Sequence, residues 1–137
     1  IQRVLVATPA YLKRRGRPRT PVDLKKHDCL LFGTSPTLRL TRGTRSEDLS
    51  LNPRLLVTDM DVLESALKND LGIAVMPTFL CDKATRAARL QRVLPRWSPP
   101  PTPLHIVYPS TRHLSPTVRS FIEYVQERMR ARIEAKL

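Results

Sequence analysis

The chain has 137 residues, 41% of them hydrophobic, so its length suits one compact domain and argues against two full domains. Its 24 Lys and Arg against 12 Asp and Glu give a net charge of +12, which favours an anionic partner such as nucleic acid, acidic lipid or a carboxylate ligand. The sequence contains no apolar run of the roughly 20 residues that a membrane span needs, so no membrane partner is expected.

Short apolar runs and helix-start signals alternate in the first part of the chain. Residues 4–7 predict a buried strand, and Thr8 followed by Pro9 is typical of a helix N-cap and first turn. Gly16 is a natural C-terminal cap for that helix, and a second short helix is predicted over residues 21–26. The strands predicted next lie at residues 29–32, 38–41 and 55–58.

The same alternation continues in the second part of the chain. Asp61 resembles an N-cap with Glu64 three positions later, and the apolar spacing predicts a helix that ends near residues 69–72. Pro77 and Thr78 open another helix, which runs towards Ala88. Further strands are predicted at residues 73–76 and 104–108, and residues 90–94 are a short apolar return between them. Because strands and helices alternate, we predict an α/β sheet with parallel pairing.

A long amphipathic helix is predicted at the C-terminal end. Ser115 is a suitable N-cap, and Pro116 suits the first turn. The helix carries an apolar stripe at helical spacing, made of Val118, Phe121, Ile122, Val125 and Met129. We interpret this stripe as a packing face, and an exposed stripe would favour association with a second chain.

A ligand site is predicted beyond the carboxyl ends of the parallel strands, where helix N-termini present unpaired N–H groups. If the strands that end near residues 8, 58 and 77 are neighbours, their turns surround one cleft, and a small anion or polar organic acid is the natural ligand. The alternative is that each threonine only caps its own helix. The candidate effector-binding residues are Thr8, Pro9, Thr58, Asp59, Met60 and Pro77.

No catalytic or metal motif is recognisable. The sequence has no GxSxG, no GxxxxGK[ST] and no HExxH, and the two cysteines, Cys29 and Cys81, lack zinc-site spacing. His27, Asp28 and Cys29 are consecutive, and adjacent residues cannot easily direct a nucleophile, a base and an orienting group at one substrate atom. We therefore expect no enzyme activity, no catalytic residues, no metal and no cofactor. Cysteines without disulfide spacing also fit a reducing cytoplasm.

The Arg-Gly-Arg-Pro stretch within residues 12–21 resembles an AT-hook, whose arginines enter a narrow minor groove. AT-hooks act as disordered segments, whereas this stretch lies between two capped helices, so a surface turn is the favoured interpretation. Direct nucleic-acid binding through the basic segments remains the alternative function.

Four blocks of the sequence together resemble the effector-binding domain of LysR-type transcriptional regulators. In chain order they are VLVATPAYLKRRGRPRTPVDLKKHDCLLF, VTDMDVLESALKNDLGIAVMP, LQRVLPRW and LHIVYPSTRHLSPTVRSFIEYVQERM. The resemblance implies a periplasmic-binding-protein-like fold, in which two α/β lobes are joined by two crossing strands and hold an effector between them. Many members have glycine at the positions of Asp70 and Ala88 and a tryptophan near Leu38, so this chain departs from the pattern there.

The resemblance also implies a domain organisation for residues 1–137. Residues 3–7 and 104–108 would be the crossing strands, residues 8–97 the second lobe, and residues 115–136 the C-terminal helix of the first lobe. The opening segment of the first lobe and the N-terminal DNA-binding domain would be absent from this sequence. The implied function is small-molecule sensing and oligomerisation in a cytoplasmic bacterial transcription regulator. Its implied partners are a small organic effector, further copies of the same chain, and DNA only through the absent domain.

Overall fold

The structure is a computed structural model, and it describes residues 1–87, 89–108 and 115–134. The chain divides into two compact units, of which one is Gln2–Pro101 and the other is Ile1 with Thr102–Leu137. No helix among the described residues has the length and apolar character needed to cross a membrane.

The first unit contains seven strands, three α-helices and one 3-10 helix in its described part. The strands are β1 (Arg3–Ala7), β2 (Cys29–Phe32), β3 (Thr37–Arg42), β4 (Arg45–Ser50), β5 (Leu55–Val57), β6 (Ile73–Pro77) and β7 (Gln91–Val93). The helices are α1 (Pro9–Arg15), the 3-10 helix Pro21–Lys26, α2 (Met60–Lys68) and α3 (Thr78–Arg86). The mixed α/β class predicted from the sequence is confirmed.

Five of the strands form one sheet in the order β5-β2-β6-β1-β7. β2 is parallel to β5 and β6, whereas β1 is antiparallel to both β6 and β7. Four strands therefore share one direction, and β1 is inserted between two of them in the opposite direction. The prediction of parallel pairing is right for β2 with β5 and β6 and wrong for β1 with β6 and β7. β1 is followed in the chain by α1 and β2, and β2 is not its neighbour in the sheet, so no crossover helix fixes its direction relative to β6 and β7.

β3 and β4 form a separate antiparallel hairpin whose turn contains Gly43 at a φ of 58°. The sequence predicted β3 but not β4, because Arg45–Ser50 is polar apart from Leu49. One face of the hairpin is nevertheless buried, through Leu38, Leu40 and Leu49.

The core has two layers because side chains alternate between the faces of the sheet. On one face, Leu5, Leu31 and Val75 pack with α1 and the hairpin. On the other face, Val6 and Met76 belong to a cluster that includes side chains of α2 and α3. The strand predictions for β1, β2 and β6 rested on short apolar runs, and burial on both faces is the reason for those runs.

The start of α1 agrees with the sequence prediction, whereas the start of α2 differs from it. Thr8 Oγ1 accepts a hydrogen bond from the Tyr11 N–H at 3.3 Å, which confirms the predicted cap of α1. α2 is capped by Asp59, whose Oδ1 accepts from the Asp61 and Val62 N–H groups at 2.8 and 3.2 Å. The predicted cap at Asp61 is therefore wrong, because that residue is already inside the helix, whereas Asp59 has the extended backbone of a cap residue.

In the second unit, the helix α4 spans Pro116–Glu134, and Ser115 Oγ accepts from the Val118 N–H at 3.3 Å, as expected of a cap. The predicted strand at residues 104–108 is wrong as secondary structure, because this segment forms neither a strand nor a helix in the structure. Ala88, His113 and residues 135–136 lie outside the described residues. The assignment of residues 3–7, 8–97, 104–108 and 115–136 to family segments stays a prediction.

Candidate functional site

A cleft lies at the edge of the sheet where β2, β5 and β6 end. Since β1 runs in the opposite direction, its amino end, Arg3, lies at this same edge, paired with Pro77. Two adjoining cavities of about 90 and 430 Å³ share Arg3, Thr37 and Leu38 in their walls. We call these two cavities the carboxyl-edge cleft, and its further lining residues include Phe32, Ser35, Met60 and Pro77.

Arg3 is the most unusual side chain of the cleft. Its Nη2 donates to the Pro100 carbonyl at 2.9 Å, while its Nε–H is buried and has no hydrogen-bond partner among the described residues. Burial also lowers the pKa of Arg3, which shows that the guanidinium has lost part of its hydration. A buried donor without an acceptor is costly, so an anion that accepted from this N–H would bind favourably here. The N–H groups of a guanidinium form a planar fork, and their spacing matches the two oxygens of a carboxylate.

The predicted effector-binding residues divide between the two edges of the sheet. Met60 and Pro77 both line the carboxyl-edge cleft, and Thr58 and Asp59 lie in the turn between β5 and α2 that leads into it. Asp59 is engaged, because its carboxylate accepts from the first N–H groups of α2. The N-terminus of α2, which was expected to attract an anion, is therefore already capped by a carboxylate. The positive charge that could attract an anion to this site is provided by Arg3 instead.

Thr8 and Pro9 do not belong to this cleft. They follow the carboxyl end of β1, which lies at the opposite edge because β1 is antiparallel to β6. The four steps from Arg3 to Ala7 span about 14 Å at roughly 3.4 Å per residue. The expectation that all three turns surround one cleft is therefore wrong for Thr8 and Pro9, and the reason is the reversed direction of β1.

A second cavity, of about 540 Å³, lies on the face of the sheet that carries α2 and α3. We call it the α2–α3 cavity. Thr8 lines it, together with buried apolar residues of the sheet and of both helices. Among the described residues, none that lines this cavity also lines the carboxyl-edge cleft.

Sequence reasoning missed Arg3. The signal that was available is a charged residue at the start of an otherwise apolar strand, Arg3–Ala7. A cation at the end of a buried strand is placed at a sheet edge, which is where ligands bind in α/β folds.

The consecutive residues His27, Asp28 and Cys29 serve the fold. The Tyr11 hydroxyl accepts from the Asp28 N–H at 2.9 Å and is hydrogen-bonded to His27 Nδ1 at 3.1 Å. Burial raises the pKa of Cys29 to about 12, so its thiol stays protonated and is a poor nucleophile. Within the described ranges, no three metal-binding side chains are grouped at one point.

The Arg-Gly-Arg-Pro stretch is a fixed turn between α1 and the 3-10 helix. Arg17 Nη2 donates to the Gln91 side chain, and the Arg19 N–H donates to Asp23 at 3.0 Å. The Thr20 N–H binds the same carboxylate at 2.8 Å, which completes the predicted capping box. None of these contacts favours the AT-hook interpretation, because an AT-hook must be free to follow a groove.

Comparison with known proteins identifies similar chains. A family model described as the LysR substrate binding domain matches residues 1–130. A probable HTH-type transcriptional regulator, LtrA of Klebsiella pneumoniae, is 29% identical over 133 residues, covering 93% of this chain and 43% of that protein. The HTH-type transcriptional regulator PtxR of Pseudomonas aeruginosa is 30% identical over 131 residues, covering 93% and 42%. The chain thus spans about two fifths of these relatives.

Solved structures agree with this fold. The full-length virulence activator AphB of Vibrio cholerae superposes with a TM-score of 0.79 at 26% identity, covering 99% of this chain and 45% of that one. The regulatory domain of CrgA from Neisseria meningitidis gives a TM-score of 0.68 at 21% identity, covering 93% and 64%. At that identity, the second likeness shows the fold alone.

Proposed function

Because the chain belongs to the LysR substrate-binding domain family, we propose that it is the effector-sensing part of a bacterial transcription regulator and that its effector is a small organic anion. The relatives that it matches are transcription regulators rather than enzymes. We place DNA binding in a helix-turn-helix domain of the kind named in those relatives, outside residues 1–137. The proposed location of the whole regulator is the cytoplasm.

The observation that supports an anionic effector is the buried Nε–H of Arg3, which has no hydrogen-bond partner within the described part of the chain. A carboxylate at this position would accept from a donor that is already removed from water, so the ligand would not have to repay the full desolvation of the cation. Met60 and Pro77 would contact the apolar part of the effector, since both line the cavity beside Arg3. Thr58 and Asp59 complete the proposed site from the preceding turn.

The proposed mechanism is a shift between two arrangements of the regulator. An effector changes their populations only by the difference between its affinities for the two. We further propose that the regulator is a homo-oligomer, so that such a shift changes the spacing of its DNA-binding domains. Support comes from the family and from exposed apolar side chains of α4, among them Phe121 at 65% exposure.

The experiment is a calorimetric titration of the full-length protein with small aliphatic and aromatic acids. For an acid that binds, Arg3→Gln should weaken the affinity by at least about tenfold, because a charge-assisted hydrogen bond contributes roughly 1.5–3 kcal/mol. Arg45→Gln is the matched control and should leave the affinity unchanged, because Arg45 is an exposed arginine at the start of β4 that does not line the cleft.

Two results would contradict the proposal. The first is that an acid binds equally well to the parent protein and to Arg3→Gln. The second is that no acid binds, while the effector-sensing chain alone binds duplex DNA with an affinity that falls steeply with salt and depends on Arg17 and Arg19. That outcome would support direct nucleic-acid binding instead.

A further inference from the structure

The α2–α3 cavity has the size and the lining of a small-molecule site. Its volume of about 540 Å³ falls within the range of roughly 300–1,000 Å³ that is typical of ligand pockets. Its walls are mostly apolar, and Leu67 and Met76 are at most 1% exposed. Leu80 also lines the cavity and is 37% exposed, so a large apolar side chain remains in contact with solvent there.

Two cationic side chains also line this cavity. Lys68 is paired with Glu64, with 2.7 Å between Nζ and Oε1. Arg89 is exposed, and its guanidinium has no ion pair or hydrogen bond within the part of the chain that the structure describes. An apolar cavity with an available guanidinium in its wall complements a molecule that has one apolar end and one negative end.

We propose that the α2–α3 cavity binds an amphiphilic monocarboxylate, with its apolar tail among Leu67, Met76 and Leu80 and its carboxylate on Arg89. The tail would cover the exposed part of Leu80, which now faces water, and burial of apolar surface is favourable. The carboxylate would remain near the surface, where Arg89 lies, so neither charge is buried deeply. This site is separate from the carboxyl-edge cleft and does not depend on the function proposed for that cleft.

The position of α3 connects this cavity to the cleft. Leu80, Cys81 and Ala84 of α3 line the cavity, and the helix begins one residue after Pro77, which lines the cleft. The N–H of Thr78 donates to the carbonyl of Gln2 at 3.0 Å, directly before Arg3. A ligand that displaces α3 therefore acts on the segment that holds Arg3, and coupling between two binding sites is reciprocal.

The test is a calorimetric titration of the full-length protein with octanoate, alongside acetate and octanol. Octanoate should bind more tightly than acetate, which lacks the tail, and more tightly than octanol, which lacks the charge. Arg89→Gln should weaken octanoate by about tenfold and leave octanol unchanged. Ala84→Leu should fill part of the cavity and weaken both molecules, since Ala84 lines its wall.

Arg3→Gln provides the comparison with the cleft. The proposal holds if octanoate binding is reduced by Arg89→Gln and Ala84→Leu and is unchanged by Arg3→Gln. It is overturned if octanoate does not bind, or if only Arg3→Gln reduces its affinity, since the molecule would then occupy the cleft. Because Arg89 is exposed, Arg89→Gln keeps the test decisive even if Ala84→Leu proves to be unstable.

Discussion

Gly72 allows β2 and β6 to pair, and replacing it with alanine should separate the amino ends of these strands. A Cβ at position 72 would lie 2.1 Å from the Asp28 carbonyl oxygen and 3.2 Å from Leu30 Cγ. The same oxygen accepts from the Ile73 N–H at 2.8 Å. Since the clash is with backbone rather than with a flexible side chain, the strands themselves must move.

The cost can be estimated from these contacts. Loss of one backbone hydrogen bond contributes about 1 kcal/mol, and forcing an extra carbon into a packed position adds roughly 1–3 kcal/mol. Gly72→Ala should therefore lower the free energy of unfolding by about 2–4 kcal/mol. For a chain of this length, the entropy of unfolding converts each kcal/mol into a melting-temperature change of roughly 3.5 °C. The expected decrease is about 7–14 °C, measured by circular dichroism.

Gly43→Asn is the matched control. Gly43 is also a glycine, but a Cβ there would meet no atom within 4 Å, and asparagine tolerates the φ of 58°. Its melting temperature should stay within about 2 °C of the parent value. Equal decreases in melting temperature for Gly72→Ala and Gly43→Asn would refute the steric reasoning, because only position 72 has a backbone atom that a Cβ would clash with.

Two further predictions concern a helix cap and a histidine. Asp59→Ala should lower the free energy of unfolding by about 1 kcal/mol through loss of the α2 cap, whereas Asp61→Ala should change it by less than about 0.5 kcal/mol; equal losses in urea denaturation would restore Asp61 as the cap. Burial lowers the pKa of His27 from 6.5, so the unfolded chain binds more protons as the pH falls through that value. The melting temperature should therefore decrease between about pH 7.5 and pH 5.5, and His27→Gln should flatten that decrease; an equally steep decrease in the variant would contradict this assignment.

Much of the fold follows from local sequence signals. Apolar runs predicted β1, β2 and β6 because both faces of these strands are buried. The caps at Thr8 and Ser115 were predictable because a hydroxyl before a proline satisfies the N–H groups of a first turn. These features depend on residues that are close in sequence.

The remaining features depend on residues that are distant in sequence. β4 is polar along most of its length, so only its pairing with β3 shows that it is a strand. Asp59 and Asp61 are both suitable cap residues, and Glu64 three positions after Asp61 favoured the wrong one, because the extended backbone that decides for Asp59 cannot be read from the sequence. Residues 104–108 have the composition of a strand, but composition alone does not supply a partner, and this segment forms no strand in the structure.

The direction of β1 has the largest effect on the candidate sites. In a wholly parallel sheet, Thr8 would lie with Thr58 and Pro77 at one edge. Because β1 is reversed, Arg3 takes that place, and Thr8 lies at the α2–α3 cavity instead.

The same strand also connects the two proposed ligand sites. β1 is bonded on both sides, to β6 and β7, and four of its five residues are buried, so it cannot shift at one end without straining the ladders along its length. Arg3 borders the cleft at one end, and Thr8 borders the cavity immediately after the other. A ligand in either site would therefore act on a strand shared with the other. Whether the two ligands favour or oppose each other then depends on whether they prefer the same position of β1 and α3.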